Sequence, residues 1–325
     1  MMATMKDVAH LAGVGVGTVS RVINNGQVKA TTRQKVEEAI AQLNYEPDNY
    51  ARGLKLQKTF MVALILPTVW HPFYGEFAYH VENELAKRGY KCMICNSDGR
   101  ADRELEYIKM MQQNKVDGII ALTYSDIDPY VTSSLPFVSV DRHFSNEAIS
   151  VSADNMDAGR LAAETLMSKG CDVLAYIGGQ PRFPTEIGKR QIGFTDTCNS
   201  YQKENYYLLV PEPFVDLEGQ LETFFRQHPD ITGIFTINDF MALDVIAVLN
   251  QMGKKVPEDV QIIGCDGIRM ASDRPLVVST IRQPIEEMAL TSVNALISLM
   301  NKEEVNRYNV LPISYLEGST TKKVV

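Results

Sequence analysis

The chain has 325 residues, of which 45% are hydrophobic and 22% charged. That balance is ordinary for a globular protein and excludes a wholly disordered, collagen-like or disulfide-scaffold chain. No apolar run approaches the roughly 18 residues of a membrane span; the best candidate, Met61 to Leu66, stops at Pro67. The net charge of −8 is unevenly spread: residues 1–58 hold eight Lys/Arg against five Asp/Glu, a net +3, and the remainder holds 24 against 35, a net −11. A small basic head on a large acidic body suggests a head that meets a polyanion. No secretory apolar segment opens the sequence, and five scattered Cys, an odd count, read as reduced thiols. Both features point to the cytoplasm, with no membrane association.

In chain order, the head reads as helices without strands. Met5 to Ala12 places Met5, Val8, Ala9, Leu11 and Ala12 at helical spacing, and Gly13 permits a tight turn. Val16 to Asn24 follows, with Val19, Val22 and Ile23 on one face. Thr31 or Thr32 suits the N-cap of a third helix carrying Val36, Ala39, Ile40 and Leu43. Pro47 breaks the chain, and Tyr50 to Leu56 is long enough for one more short helix. Helix, Gly-containing turn, helix is the helix-turn-helix pattern, whose second helix enters the DNA major groove. Thr18, Ser20 and Arg21 lie off its buried face, free to reach phosphates or bases; Arg forks onto guanine, while Ser and Thr are less selective.

From Phe60 the pattern changes to alternating strand and helix. The expected elements are a strand Phe60–Leu66, a helix Phe73–Lys87 capped at Gly89, a strand Tyr90–Cys95, a helix Asp102–Gln113 and strands Val116–Leu122, Phe137–Val140 and Ile149–Val151. A second series runs through helix Met156–Lys169, strand Val173–Ile177, helix Glu186–Ser200, strand Tyr207–Val210, helix Leu217–Gln227, strand Gly233–Ile237, helix Asp239–Met252 and strand Val260–Cys265. Val278–Ile281, helix Ile285–Met300 and strand Leu311–Tyr315 close the chain. Alternation of this kind argues βαβ units and parallel sheets, and two series argue two lobes with a ligand crevice at the carboxyl ends of their strands. Cys92-Met-Ile-Cys95 has CxxC spacing, but on a strand the two thiols face opposite ways, and neither a second CxxC nor a close His completes a metal set.

The residues are more specific than the pattern. The run Met5-Lys-Asp-Val-Ala-His-Leu-Ala-Gly-Val-Gly-Val-Gly-Thr-Val-Ser-Arg-Val-Ile-Asn24, then Leu43-Asn-Tyr-Glu-Pro47 and Ala51-Arg-Gly-Leu54, closely resembles the LacI/GalR family of bacterial transcription regulators. The resemblance continues through Asn96-Ser97, Val116-Asp-Gly-Ile-Ile120, Asp154-Asn155, Arg190 with Gly193-Phe194, Asn238-Asp239, Val256-Pro257, Ile263-Gly264, Asp266 and Gln283-Pro284. It covers essentially the whole chain. It implies an α/β fold class: a small all-α helix-turn-helix head (1–58, hinge helix about 48–56) on a two-lobed, periplasmic-binding-protein-like α/β body (59–325). The N-lobe is expected at about 60–155 and 285–325, the C-lobe at about 156–284.

The resemblance also implies roles. In the head, DNA contacts fall to Thr4, Val16, Gly17, Thr18, Ser20, Arg21, Asn24, Tyr45, Asn49, Arg52, Leu54 and Lys55. Val16 and Gly17 match base-choosing positions yet offer only a methyl surface and bare backbone, so Thr18, Ser20 and Arg21 must carry more of the readout. Gly15 stands where a capping Ser is frequent, and His10 is expected on the outer face of the first helix. Leu54 matches a leucine that wedges into the minor groove and kinks the duplex; a helix this short should be disordered until DNA and a twin order it. In the cleft, the implied effector contacts are Phe73, Tyr74, Asp141, Asp154, Arg190, Phe214, Asn238 and Asp266. Asp154 has an alternative as a helix cap, Phe214 as a core residue, and Asp239 is expected to cap the helix after Asn238. Gly267 departs from the Asn usual after Asp266 and is expected to reshape the cleft floor; Asp244 replaces a common Gly.

The function implied is a repressor of carbohydrate-utilisation genes, not an enzyme, needing no cofactor and no metal. Its partners would be pseudo-palindromic operator DNA, a second copy of the chain, and a small sugar or sugar-phosphate effector. Effector would change lobe orientation, and with it the spacing of paired hinge helices. Arg190→Ala should then abolish the effector response and spare basal operator binding. The alternative input is a purine or a phosphoprotein corepressor that strengthens DNA binding.

Overall fold

The computed structural model describes residues 3–24, 26–45, 58–114, 116–125, 127–131, 136–144, 148–180, 185–269, 271 and 273–323. The chain divides into two compact units, Met1–Thr59 and Phe60–Val325, one residue from the expected boundary.

The first unit holds α1 (Met5–Ala12), α2 (Val16–Ile23) and α3 (Ala30–Gln42). Val8, Ala9, Val19, Val22, Val36, Ala39 and Tyr45 form its core. Thr4 and Asp7 make a reciprocal capping box at the start of α1, and Gly13, at φ +65°, ends that helix in the left-handed region that favours glycine. The third helix starts earlier than its threonines suggested: Lys29 is the N-cap without a side-chain bond, and Thr32 already donates its N–H to the Lys29 carbonyl inside the first turn. Arg33 donates to the carbonyls of Val22 (3.4 Å) and Gly26 (2.9 Å), tying α3 to the end of α2. The expected helix at Tyr50 to Leu56 lies outside the described residues.

The second unit is built on two six-stranded sheets. The first contains β1 (Met61–Leu66), β2 (Lys91–Asn96), β3 (Gly118–Leu122), β4 (Phe137–Val140), β5 (Ile149–Ala153) and β11 (Tyr308–Leu311), in the order β11-β5-β4-β3-β1-β2. The second contains β6 (Val173–Gln180), β7 (Glu204–Pro211), β8 (Gly233–Thr236), β9 (Gln261–Asp266), β10 (Ser279–Arg282) and β12 (Ser314–Leu316), in the order β12-β10-β9-β8-β6-β7. All pairings are parallel except β10 with β12. Parallel strands need covering on both faces. α4 (Pro72–Lys87), α5 (Ala101–Asn114) and α10 (Ile285–Met300) accompany the first sheet; α6 (Asn155–Ser168), α7 (Lys189–Ser200), α8 (Leu217–Gln227) and α9 (Asp239–Gln251) accompany the second. The expected helix from Glu186 opens as a 3-10 turn, Glu186–Gly188, before α7 begins.

α6 and α7 approach unusually closely because glycines face each other. A Cβ on Gly159 would sit 2.1 Å from the Arg190 carbonyl oxygen, and one on Gly193 2.1 Å from that of Met156. This contact brings the Arg190 backbone directly against α6.

The chain passes between lobes at 153–155, 282–285 and 311–314. The last passage corrects two expectations. Leu311–Tyr315 is not one strand: Leu311 ends β11 in the first sheet, and Ser314 begins β12 in the second. Residues 314–323 accordingly belong to the C-lobe, not the N-lobe. The Thr320 hydroxyl donates to the Ile262 carbonyl (2.7 Å), and the Lys322 N–H to the Gln261 side chain (2.8 Å). Pro312, which has no N–H for a ladder, sits at the break.

Cys92 packs on one face of the first sheet and Cys95 on the other, as strand alternation requires. Burial pushes their thiols up, Cys92 to about 12 and Cys95 to about 11, which leaves little reactive thiolate.

Candidate functional site

Two surfaces carry the predicted site residues, one on each unit. On the head, Val16 opens α2 with 42% of its surface exposed, and the space where a Gly17 side chain would project is empty. Arg21 is exposed, and Thr18 and Ser20 are half-buried. α2 therefore presents a methyl surface, bare backbone and one guanidinium. Three of the expected contact residues also make bonds or packing within the head. The Thr4 hydroxyl both accepts from the Asp7 N–H (3.4 Å) and donates to the Asp7 carboxylate (2.7 Å). Tyr45 is buried in the head core, its N–H bonded to the Ile40 carbonyl. The Asn24 amide donates to the Ser20 carbonyl at 2.7 Å, closing α2. His10 is exposed, as expected. Asn49, Arg52, Leu54 and Lys55 lie outside the described residues.

On the body, a cavity of about 960 Å³ lies where the carboxyl ends of both sheets face each other, lined from Pro67 after β1, Asp141 after β4, Asn238 after β8, Asp266 at the end of β9 and Gln283 after β10. Parallel topology brings those ends together. Of the expected effector residues, Phe73, Tyr74, Asp141, Arg190, Asn238 and Asp266 line it. Asp154 and Phe214 do not. The Asp154 carboxylate accepts the Asp157 N–H at 2.9 Å and caps α6; Phe214 is 43% exposed, neither core nor lining. Asn238, which does line the cavity, is also the cap of α9, accepting the Met241 N–H at 2.8 Å. Asp239 is therefore not the cap. It is buried and accepts from the Ile268 N–H (2.6 Å) and the Thr280 hydroxyl (2.7 Å).

Arg190 is the centre of the site. It is 2% exposed, donates from Nε to Asn155 Oδ1 (2.7 Å) and from Nη1 to the Ile237 carbonyl (2.5 Å), and leaves Nη2 buried without a partner. Asp266 lies 3.9 Å from Nη1 and accepts from Gln283 Nε2 at 2.6 Å. That bond leaves Gln283 Oε1 unpartnered, and Asp141 Oδ1 is unpartnered too. His71 accepts the Phe73 N–H on Nδ1 (3.3 Å), and its Nε2 is buried without a partner, 3.9 Å from Asp266. Burial pushes the imidazole down to about 4. It is neutral at physiological pH, so its contact with Asp266 is not an ion pair. With Nδ1 accepting, the proton sits on Nε2.

Four buried polar atoms without partners thus belong to side chains that line this cavity: donors on Arg190 and His71, acceptors on Asp141 and Gln283. Each such orphan costs about 1–3 kcal/mol until a partner arrives. Phe73 and Tyr74 add ring faces, and the Tyr74 hydroxyl donates to Tyr124 at 3.4 Å. Sequence reasoning missed His71, Tyr124, Glu212 and Gln283 as lining. For Gln283 a signal was present, since it stands in the quoted Gln283-Pro284 motif; His71 lies two residues before the expected Phe73 and directly before Pro72.

Carboxyl groups crowd this guanidinium. Asp141 is pushed up to about 6 by burial, with Arg190 opposing the shift. Asp239 and Asp266 are raised by burial first; Asp266's charge raises Asp239 further, and Asp141's charge raises Asp266. A carboxyl raised by folding keeps its proton in the native state where the unfolded chain has lost it. Stability then declines as pH rises from the unfolded value through the folded one. Asp239→Asn keeps both hydrogen bonds, accepting from the Ile268 N–H and donating to the Thr280 hydroxyl, and removes that loss. The variant's Tm advantage is expected to be near zero at about pH 4 and to grow to about 4 °C or more by about pH 8. Melting curves with a pH-independent difference would refute this account.

Two family models match the chain: "Bacterial regulatory proteins, lacI family" over residues 4–48 and "Periplasmic binding protein-like domain" over 163–321. The sucrose operon repressor of Streptococcus mutans serotype c is 35% identical, with 98% of this chain and 100% of that protein covered. The ribose operon repressor of Bacillus subtilis is 34% identical over 99% of both chains. A solved periplasmic binding protein/LacI transcriptional regulator from Alkaliphilus metalliredigens, complexed with D-xylulofuranose, superposes with a TM-score of 0.71 at 29% identity, covering 81% of this chain and 99% of that one. With a helix-turn-helix head, a two-lobed body and full-length relatives above 30% identity, the chain belongs to the LacI family of bacterial regulatory proteins.

Proposed function

We propose that this protein is a cytoplasmic, homodimeric repressor of carbohydrate-utilisation genes, whose affinity for a pseudo-palindromic operator is set by an uncharged sugar in the interlobe cavity. Both full-length relatives described above are sugar-operon repressors. The observation that carries the reading is the set of four unpartnered buried atoms, two donors and two acceptors, on side chains that line the cavity. Sugar hydroxyls both donate and accept, and ring faces stack on Phe73 and Tyr74.

The charge balance favours a sugar over a sugar phosphate. Asp98, Asp102, Asp141, Glu212 and Asp266 line the cavity against Arg100 and Arg190. Arg100 is already held by Asp102 through Nε (3.1 Å) and Nη2 (2.5 Å). A phosphate would add about −1.5 to −2 charge among these carboxylates. The same balance disfavours a phosphorylated corepressor in this cavity.

The test is thermal shift of the full chain against sucrose, ribose, ribose 5-phosphate and hypoxanthine. At a ligand concentration about 100 times Kd, a specific ligand stabilises by about 2.7 kcal/mol. Stabilisation by a neutral sugar alone, with a matching change in operator affinity, is the expected result. A shift with the phosphate or the purine and none with any sugar would overturn it.

A further inference from the structure

The sequence departure at Gly267 has a structural counterpart outside the cavity wall. Gly267 sits at φ +79°, and a Cβ there would lie 2.3 Å from Arg282 Cδ. The glycine leaves room for the Arg282 side chain to fold back across the end of β9. There its Nη1 donates to the carbonyls of Asp266 (3.2 Å) and Gly267 (3.1 Å). The same guanidinium reaches out of the C-lobe to the carboxylate of Glu76 on α4 of the N-lobe. Nη1 lies 3.3 Å from Oε2, and Nη2 contacts Oε1. Both side chains are part-buried, Arg282 at 26% and Glu76 at 35% exposure. Glu76 stands one helical turn after Phe73, and Asp266 is Arg282's partner in the β9–β10 register. One forked ion pair therefore fastens the helix bearing Phe73 and Tyr74 to the strand end bearing Asp266.

We propose that Glu76 and Arg282 are a positioning pair that latches the two walls of the cavity together, and that Gly267 is the residue that admits the latch. The pair touches no ligand in this account; it sets how often the lobes are closed around one. The proposal goes beyond the assigned ligand class and does not depend on it. Neutralising either partner removes a bidentate, charge-assisted link across a cleft whose lobes are joined by three short passages. Other contacts cross the same cleft, among them His143 with Glu186 (3.0 Å) and His71 against the Phe240 ring (4.6 Å), so the effect should be partial.

The experiment is amide hydrogen exchange on the full-length protein without sugar, read at the cleft segments 68–77 and 264–268, together with melting temperature. Glu76→Gln and Arg282→Gln are each expected to speed exchange there about two- to fivefold, the effect of an ion pair that water still reaches. The exchanged pair Glu76→Arg with Arg282→Glu is expected to restore much of the protection. Gly267→Asn, by displacing the arginine, should match Arg282→Gln, and adding Glu76→Gln to it should change little further. Faster exchange at low salt that converges with wild type at high salt would support the latch. Wild-type exchange rates in both single variants would overturn it. So would faster exchange throughout the C-lobe that the charge swap fails to reverse, because that pattern marks lost folding and not a lost link.

Discussion

Arg190→Lys is expected to weaken sugar binding by about 100-fold while keeping a cooperative fold. A lysine supplies the charge that Asp141 and Asp266 face, but only a point charge. The arginine fork holds Asn155 and the Ile237 carbonyl and still has Nη2 without a protein partner. A single ammonium on a flexible stem cannot hold that arrangement, and a lost charge-assisted hydrogen bond costs about 1.5–3 kcal/mol. Arg190→Ala goes further. It leaves two orphaned acceptors and a cluster of carboxylates without their cation, a change worth about 3–5 kcal/mol of stability in comparable buried pairs. The alanine variant should therefore lose both the sugar response and several degrees of Tm, so the lysine is the cleaner probe. Operator binding without sugar should be unchanged in Arg190→Lys. Calorimetric titration with the sugar that stabilises wild type, paired with operator anisotropy, checks both halves. Undiminished sugar affinity would remove Arg190 from the binding site.

Arg21→Ala is expected to weaken operator binding about tenfold or more per head. Val16 and Gly17 contribute no polar group at the start of α2, and Arg21 is the one long cationic side chain on that helix. A guanidinium forked onto guanine is worth about 1–3 kcal/mol of discrimination. If Arg21 reads a base, the loss should concentrate on operators carrying the native base at one position in each half-site. If it only holds a phosphate, the loss should be uniform across sequences and the salt slope should fall by about one per head. The first outcome is expected. Binding as tight as wild type, with an unchanged salt slope, would show that α2 does not carry the readout.

The structure follows the sequence most closely where local patterning decides the outcome. Gly13 in its left-handed turn, the glycine after α4, and the alternation that sends Cys92 and Cys95 to opposite faces were all legible, because each depends only on neighbours in the chain. The departures have physical causes. Asp154 went to a cap because a carboxylate beside a helix start finds unpaired N–H groups nearer than any ligand. Thr4 likewise caps a helix, α1, and stays exposed there. Tyr45 was drawn into a small core that needs its ring. Residues 314–323 left the N-lobe because Ser314–Leu316 add a sixth strand to the second sheet, antiparallel to β10, and periodicity does not record which sheet a short strand joins.

The sequence by itself determined the family, the helix-turn-helix head, the two series of βαβ units and six of the residues that line the cavity. The head and the βαβ series follow from period and turn chemistry; the family and the six lining residues are what the resemblance carried by the quoted motifs implied. Only the tertiary structure decided which polar atoms in that cavity are left without partners, that His71 and Gln283 join the lining, and that Glu76 meets Arg282 across 206 residues of chain. An unpaired lone pair or a cross-cleft ion pair is a property of surfaces brought together by folding. Spacing along the chain encodes which way a side chain leaves the backbone, and the packing of distant segments sets what it finds there.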